Sequence, residues 1–282
     1  MTRVAAVDIG TNSVRLLVAD VAGGDVAEVV RHTVVTRLGE GVDAGRRLLP
    51  GPVARTFEAI GRYRAELEGL GAERTLAVAT SAARDAVNGR EFLDEVGRRF
   101  GFRTRLLTGG QEAELTRRGI GAVADGTLLL DVGGGSTELV LGERRLSLDV
   151  GSVRLTERYL HGDPPTEAEL DAASARVRRL LPELEPATAI GVAGTVAQLR
   201  ELAGELTLPA VTAELARLAS MPVRERAALP GMDPARAPVI VGGAVVVREV
   251  LLRYDLPVLT WSRRDLLDGI ALEAARPGEA RE

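Results

Sequence analysis

A six-residue motif occurs twice in this chain, as Asp8-Ile9-Gly10-Thr11-Asn12-Ser13 and as Asp131-Val132-Gly133-Gly134-Gly135-Ser136. The copies are 131 − 8 = 123 residues apart. Glycines and small hydroxyls at a tight turn let backbone N–H groups converge on an anion with no side chain in the way. The aspartate heading each copy adds a hard carboxylate oxygen, the ligand type that Mg²⁺ takes. These residue types at this spacing can therefore hold a phosphate whose charge is offset by a divalent cation. Arg15 lies two residues beyond Ser13, so strand alternation puts both on one side. A guanidinium there could pair bidentately with phosphate oxygens.

Each copy sits between an apolar run (Val4–Val7; Leu128–Leu130) and an alternating stretch (Ser13–Asp20; Ser136–Leu141). Strand, turn, strand is the pattern of a β-hairpin. Two matched hairpins predict two similar domains facing each other across a phosphate-binding cleft. Further along the first half, the pattern predicts strands over Val26–Arg31, Thr75–Ala79 and Arg103–Leu107, with helices over Pro52–Leu70, Arg90–Phe100 and Gln111–Val123. The second half begins the same way, with strands Thr127–Asp131, Glu138–Gly142 and Leu146–Val150. Helices Pro165–Leu184 and Val196–Ala203 flank a strand, Thr188–Val192. Helices Val211–Ala219 and Ala237–Arg253, a short strand Pro257–Trp261 and a helix Arg263–Ala275 follow. This order predicts mixed sheets with helices packed on them, an α/β class. The boundary falls near Gly121–Gly126, where a tight glycine join suits a hinge.

Composition excludes several chemistries. There is no Cys, and only His32 and His161 could supply imidazole, which argues against a zinc site and rules out a Cys–His nucleophile. Both histidines read as surface residues. All 36 basic residues are Arg, so a Walker-type loop, which needs Lys, is excluded. The net charge of −4 argues against coating of DNA. No apolar stretch is long enough to span a bilayer, and the N-terminus enters a strand without a basic-then-apolar leader. A cytoplasmic location is the resulting expectation.

The duplicated hairpin domains resemble the ribonuclease H-like fold of the actin/Hsp70/sugar-kinase superfamily. Five segments narrow the resemblance: Gly10–Asp20, Ala79–Gly89, Leu106–Leu115, Leu128–Gly142 and Gly191–Leu199. In this order and spacing the chain is similar to the exopolyphosphatase/guanosine pentaphosphate phosphohydrolase (Ppx/GppA) family, over essentially its whole length. The resemblance implies removal of a terminal phosphate from inorganic polyphosphate, or of the 5′ γ-phosphate from guanosine pentaphosphate, with inorganic polyphosphate or guanosine penta- or tetraphosphate as the partner. It implies domains at 1–123 and 124–262, with the helix at about 263–276 returning to the first domain. It places the catalytic base at Glu112, within Thr108–Leu115, where Gln111 stands in place of the family's frequent second acid. Mg²⁺-binding acids fall on Asp8, Asp131 and Glu138. Phosphate contacts fall on Gly10, Thr11, Asn12, Ser13, Arg15, Arg84, Gly133, Gly134, Gly135, Ser136, Gly194 and Thr195, with Arg154 and Arg236 as further cations. Larger relatives continue into a helical domain, which the sequence does not show, and the question of a homodimer stays open.

A physical reading of Glu112 agrees with the resemblance. A carboxylate beginning a helix is stabilised by the N-terminal dipole, and an ionised Glu can orient a water and accept its proton. Two alternatives stand beside the hydrolase. One is an ATP-dependent small-molecule kinase or ATPase of the same superfold, in which the glycine turn Gly191–Thr195 would cradle adenosine. The other is a non-catalytic (p)ppGpp or polyphosphate sensor.

Overall fold

The computed structural model describes residues 1–276. The chain divides into two compact units, Met1–Ala122 together with residues from Arg264 onward, and Val123–Arg263. In the first unit the chain forms β1 (Thr2–Ile9), β2 (Ser13–Ala22), β3 (Asp25–Val35), α1 (Val42–Gly45), α2 (Pro50–Leu70), β4 (Arg74–Ala79), α3 (Ser81–Asp85), α4 (Gly89–Phe100), β5 (Arg103–Leu106) and α5 (Gly109–Ile120). The second unit contains β6 (Thr127–Val132), β7 (Thr137–Leu141), β8 (Arg144–Leu148), α6 (Ser152–Tyr159), α7 (Glu167–Leu180), β9 (Thr188–Val192), α8 (Ala193–Ala203), α9 (Leu208–Ala219), α10 (Val223–Ala227), α11 (Ile240–Arg253) and β10 (Thr260–Trp261). A last helix, α12 (Leu266–Ala275), belongs to the first unit.

One plan underlies both sheets. The first has strand order β3-β2-β1-β4-β5, and the second, read from its other edge, has β8-β7-β6-β9-β10. In each, the first three strands form an antiparallel meander and the last two run parallel to the first. This is the ribonuclease H-like arrangement, present once in each unit.

The central strand β1 is apolar almost throughout because both of its faces are covered. Ala5, Val7 and Ile9 point into a core shared with Ile60 and Tyr63 of α2 and with Phe92 and Val96 of α4. Val4 and Ala6 point the other way, into a core with Leu115 of α5 and with Leu267, Ile270 and Ala271 of α12. Asp8 falls in the same alternation as Val4 and Ala6, so it faces the α5–α12 side. Those two helices cross closely. A Cβ on Gly119 would stand 2.0 Å from the Asp265 carbonyl oxygen, and one on Gly269 would stand 1.9 Å from that of Leu115. Only glycine permits backbones to approach this far.

Some expected boundaries move. The helix expected over Gln111–Val123 starts two residues earlier, behind a Thr108/Gln111 capping box, and stops before Gly121. The one expected over Pro165–Leu184 is shorter, opening behind a Thr166/Glu169 capping box. The strand expected at Pro257–Trp261 pairs with β9 only at Thr260–Trp261, because Val258 forms an isolated bridge to Thr207. The helices α1, α3, α6 and α10 were not expected.

Candidate active site

The two motif copies build the same turn. Gly10 N–H donates to the Ser13 carbonyl at 3.0 Å, and Gly133 N–H donates to that of Ser136, also at 3.0 Å. In each unit the carbonyl side of the tip is tied to the body of the protein. Asn12 O accepts from Thr36 N and Arg37 N, and Thr11 O from Gly39 N. Gly134 O accepts from Val153 N at 2.8 Å and Arg154 N at 3.1 Å, while Arg154 Nε donates to Gly135 O at 2.7 Å. Arg154 is buried by this contact and supports the tip from behind. Thr11, Asn12 and Ser136 are buried, and neither polar atom of the Asn12 amide has a hydrogen-bond partner within the chain. A buried amide without partners is costly, and a ligand oxygen at this turn would accept from its Nδ2–H.

Across each hairpin the residue opposite the aspartate differs. In the first, Asp8 is paired in register with Arg15; in the second, Asp131 is paired with Glu138. Directly opposite residues share a face and lie close. Arg15 accordingly donates to Asp8 through Nε at 2.9 Å and approaches it through Nη2 at 2.8 Å. Its Nη1 donates to Asp265, the N-cap of α12. Arg31, on β3, continues the network, meeting Asp268 at 2.9 Å, Asp265 at 3.5 Å and Glu28 at 2.7 Å. The expectation for Arg15 therefore shifts. Its fork is directed at two carboxylates of its own unit, one of them 250 residues away in sequence.

Asp8 keeps one oxygen, Oδ1, buried and without a hydrogen-bond partner. Burial pushes its carboxyl above the ordinary value by more than Arg15 pulls it down. In the second unit Asp131 and Glu138 are two buried carboxylates face to face, with Ser147 Oγ donating to Glu138 Oε1 at 2.7 Å. Like charges in this register repel, and a hard cation would relieve the repulsion. Among the described residues, no three His, Cys, Asp or Glu side chains gather into a group able to hold a metal ion. Asp131 and Glu138 thus offer a two-oxygen foothold, which suits Mg²⁺, an ion that keeps water and phosphate oxygens for the rest of its shell.

Glu112 lies in the first turn of α5 and is buried. Arg84, just beyond β4, donates through Nη1 to the Leu107 carbonyl at 2.9 Å and to Glu112 Oε2 at 3.3 Å. Arg84 thus braces the Glu112 carboxylate and the strand end before it. Gln111 occupies the capping-box position, its side chain accepting from Thr108 N at 3.0 Å, so it serves the helix start.

The Gly191–Thr195 turn lies where β9 passes into α8. Ala193 there has φ +64°, a left-handed conformation that costs a residue with a Cβ. A Cβ on Gly194 would meet the Arg236 guanidinium at 2.3–2.5 Å, so that cation lies flat across the turn. Thr195 is buried against Gly243.

Asp265, Asp268 and Arg31 were missed from the sequence. The signal for the first two was available, since Asp265-Leu266-Leu267-Asp268 is a capping box ahead of an apolar helix. No helix among the described residues is long and apolar enough to cross a membrane. His32 and His161 are at the surface, His32 within 2.9 Å of Glu66.

Residues 16–275 match the model of the Ppx/GppA phosphatase family. Exopolyphosphatase 2 of Mycobacterium tuberculosis is 46% identical over 231 residues, covering 73% of this chain and 72% of that protein. A guanosine-5′-triphosphate,3′-diphosphate pyrophosphatase of Photobacterium profundum is 28% identical over 213 residues, covering 70% of this chain and 43% of that one. The crystal structure of an exopolyphosphatase-like protein superposes with a TM-score of 0.90 at 33% identity, covering 96% of this chain and 98% of the other.

Proposed function

Since the chain belongs to the Ppx/GppA phosphatase family, we propose that it is a phosphoanhydride hydrolase of the exopolyphosphatase type. Its substrate is the terminal phosphate of inorganic polyphosphate or the 5′ γ-phosphate of guanosine pentaphosphate. The observation that carries this reading is the setting of Glu112, a buried carboxylate in the first turn of a helix with a guanidinium at its side. A base needs to be held still at a place where water can reach it, and Arg84 with the capped start of α5 supplies the holding.

In this reading Glu112 orients a water and accepts its proton as the water attacks phosphorus. Phosphoryl transfer asks little covalent chemistry of the protein, so positioning and charge compensation supply most of the rate. The N–H sides of Gly10–Ser13 and Gly133–Ser136 donate to phosphate oxygens, with the Asn12 amide as a further partner. Asp131 and Glu138 would hold Mg²⁺, and in the first unit Asp8 Oδ1 is by itself an oxygen of the type that Mg²⁺ takes. When bound, the ion offsets phosphate charge and polarises the phosphoryl oxygens. Arg236, lying across Gly194, supports a phosphate-facing role for the Gly191–Thr195 turn over the adenosine pocket that a kinase would require.

The test is phosphate release from long polyphosphate, tripolyphosphate, guanosine pentaphosphate and ATP side by side, with Mg²⁺ or EDTA, for the native chain and Glu112→Gln. Release from at least one of the first three should exceed that from ATP and require Mg²⁺. Glu112→Gln should lower the rate by about 10²–10⁴-fold, the usual contribution of a general base. A variant that keeps most of its turnover would move the base elsewhere, and equal activity in EDTA would remove the cation from the mechanism.

A further inference from the structure

The C-terminal end of α12 carries a concentration of positive charge that the hydrolytic site does not use. Arg74 opens β4, Arg103 and Arg105 lie on β5, Arg118 is in the last turn of α5, and Arg276 follows α12. Arg74 Nη1 donates to the Ala275 carbonyl at 2.8 Å, and Arg103 Nη2 to that of Glu273 at 3.5 Å. Arg118 reaches the Glu273 carboxylate at 2.9 Å, and Arg105 and Arg276 each reach it at 3.5 Å. Among the described residues, five guanidinium groups thus contact one helix end that offers a single carboxylate, Glu273. This local excess stands in a chain whose net charge is −4. Burial pushes the Glu273 carboxyl up, yet Arg118, Arg276 and Arg105 together hold it below the ordinary range.

A helix C-terminus is satisfied by one or two cations near its last carbonyls. Five exceed that need, and several are open to solvent: Arg74 and Arg103 are exposed, and the Arg276 side chain is 64% exposed. We propose that Arg74, Arg103, Arg105, Arg118 and Arg276 form a second polyanion-binding surface, which holds the body of a long inorganic polyphosphate chain while its end is hydrolysed. The proposal rests on the hydrolase reading above and deepens it by naming a long linear substrate. Guanidinium forks match non-bridging phosphate oxygens in pairs. From Asp265, beside Asp8 and Arg15, to Ala275 the helix rises about 15 Å at 1.5 Å per residue. A short oligophosphate held at the hairpin tip does not extend that far, whereas a long chain does.

The experiment compares the native protein with Arg103→Gln/Arg276→Gln, which leaves Arg105 and Arg118 to pair with Glu273 and Arg74 to cap the helix. KM and kcat are measured on long-chain polyphosphate and on tripolyphosphate over a range of salt, and long-chain binding is measured directly under EDTA. The long-chain KM should rise about five- to tenfold, and the slope of its logarithm against that of salt should fall by about 1.4–1.8, as expected when two phosphate contacts are removed. Values for tripolyphosphate and kcat on both substrates should stay within twofold. Equal effects on both substrates, no effect on either, or single-stranded RNA competing as well as polyphosphate would each overturn the proposal. If the native protein binds long polyphosphate through these arginines but never cleaves it, the surface stands and the hydrolase reading falls. Cleavage with an unchanged long-chain KM in the variant does the reverse.

Discussion

Arg15→Met separates two roles that the sequence could not distinguish. If Arg15 served mainly to grip phosphate, its loss would appear in KM, as one charge-assisted contact worth roughly 1.5–3 kcal/mol. The structure points to a different outcome. Arg15 is 11% exposed and pairs with Asp8 and Asp265, each 7% exposed. Methionine fills similar space but leaves both carboxylates buried, with Arg31 still at 3.5 Å from Asp265. Removing one partner from a buried ion pair costs about 3–5 kcal/mol. At roughly 2–4 °C per kcal/mol for a unit of this size, the transition of the first unit should fall by about 6–20 °C. Scanning calorimetry in EDTA reads this directly. Adding Asp265→Asn should recover part of the loss, because the orphaned charge goes with it, and millimolar Mg²⁺ should recover part by supplying Asp8 with a cation. A fall of less than 2 °C, accompanied by a tenfold rise in KM, would refute the reasoning and return Arg15 to the substrate.

Two further outcomes follow from the second unit. Glu138→Gln removes one of two carboxylates held face to face with Asp131, so in EDTA it should melt at or above the native temperature, while Mg²⁺ should raise the native melting point and leave the variant's nearly unmoved; equal Mg²⁺ responses would dissociate this pair from the ion. Glu169 accepts from the backbone of Thr166, Gly162 and His161 and from the Thr166 hydroxyl, contacts that, the Thr166 backbone bond foremost, lower its pKa from 4.5 to about 2. A depressed carboxyl stabilises the fold above its unfolded pKa and ceases to do so as pH falls through the folded one. The melting temperature of Glu169→Gln should therefore lie below native above pH 4.5, with the gap closing as pH approaches about 2; a gap independent of pH would mean that the amide loses packing and not charge.

What was legible in the sequence were features set by local pattern. The two hairpins and the succession of strands and longer helices follow from alternation and glycine turns within a few positions of one another, while the Glu112 helix begins two residues before the expected Gln111, behind a Thr108/Gln111 capping box. Helices whose beginnings depend on distant partners were not legible. The start of α6 has no side-chain cap, and its first N–H groups are satisfied by Gly133 and Gly134 of the other turn, some 20 residues back. Arg15 is the instructive case. Alternation puts it on one side with Ser13 but does not show that it faces Asp8; its second partner comes from a helix at the far end of the chain, and a one-dimensional pattern carries no information about that meeting.

The two hairpins explain why one motif can yield two chemistries. Backbone turn, register and aspartate are the same in each, down to the 3.0 Å bond that closes the tip. One position differs: arginine faces Asp8, glutamate faces Asp131. The first copy is thereby largely neutralised from within, by a guanidinium anchored to Asp265 on α12. The second copy instead sets two buried carboxylates opposite each other, an arrangement that would favour a cation beside them. On the proposed reading, a phosphate at the first tip would meet N–H groups on a frame braced by Arg15, and one at the second would lie near the carboxylate pair proposed to hold Mg²⁺. The frame is the same in both copies and the opposed residue differs: an internal ion pair in the first, a carboxylate pair proposed to hold a metal in the second.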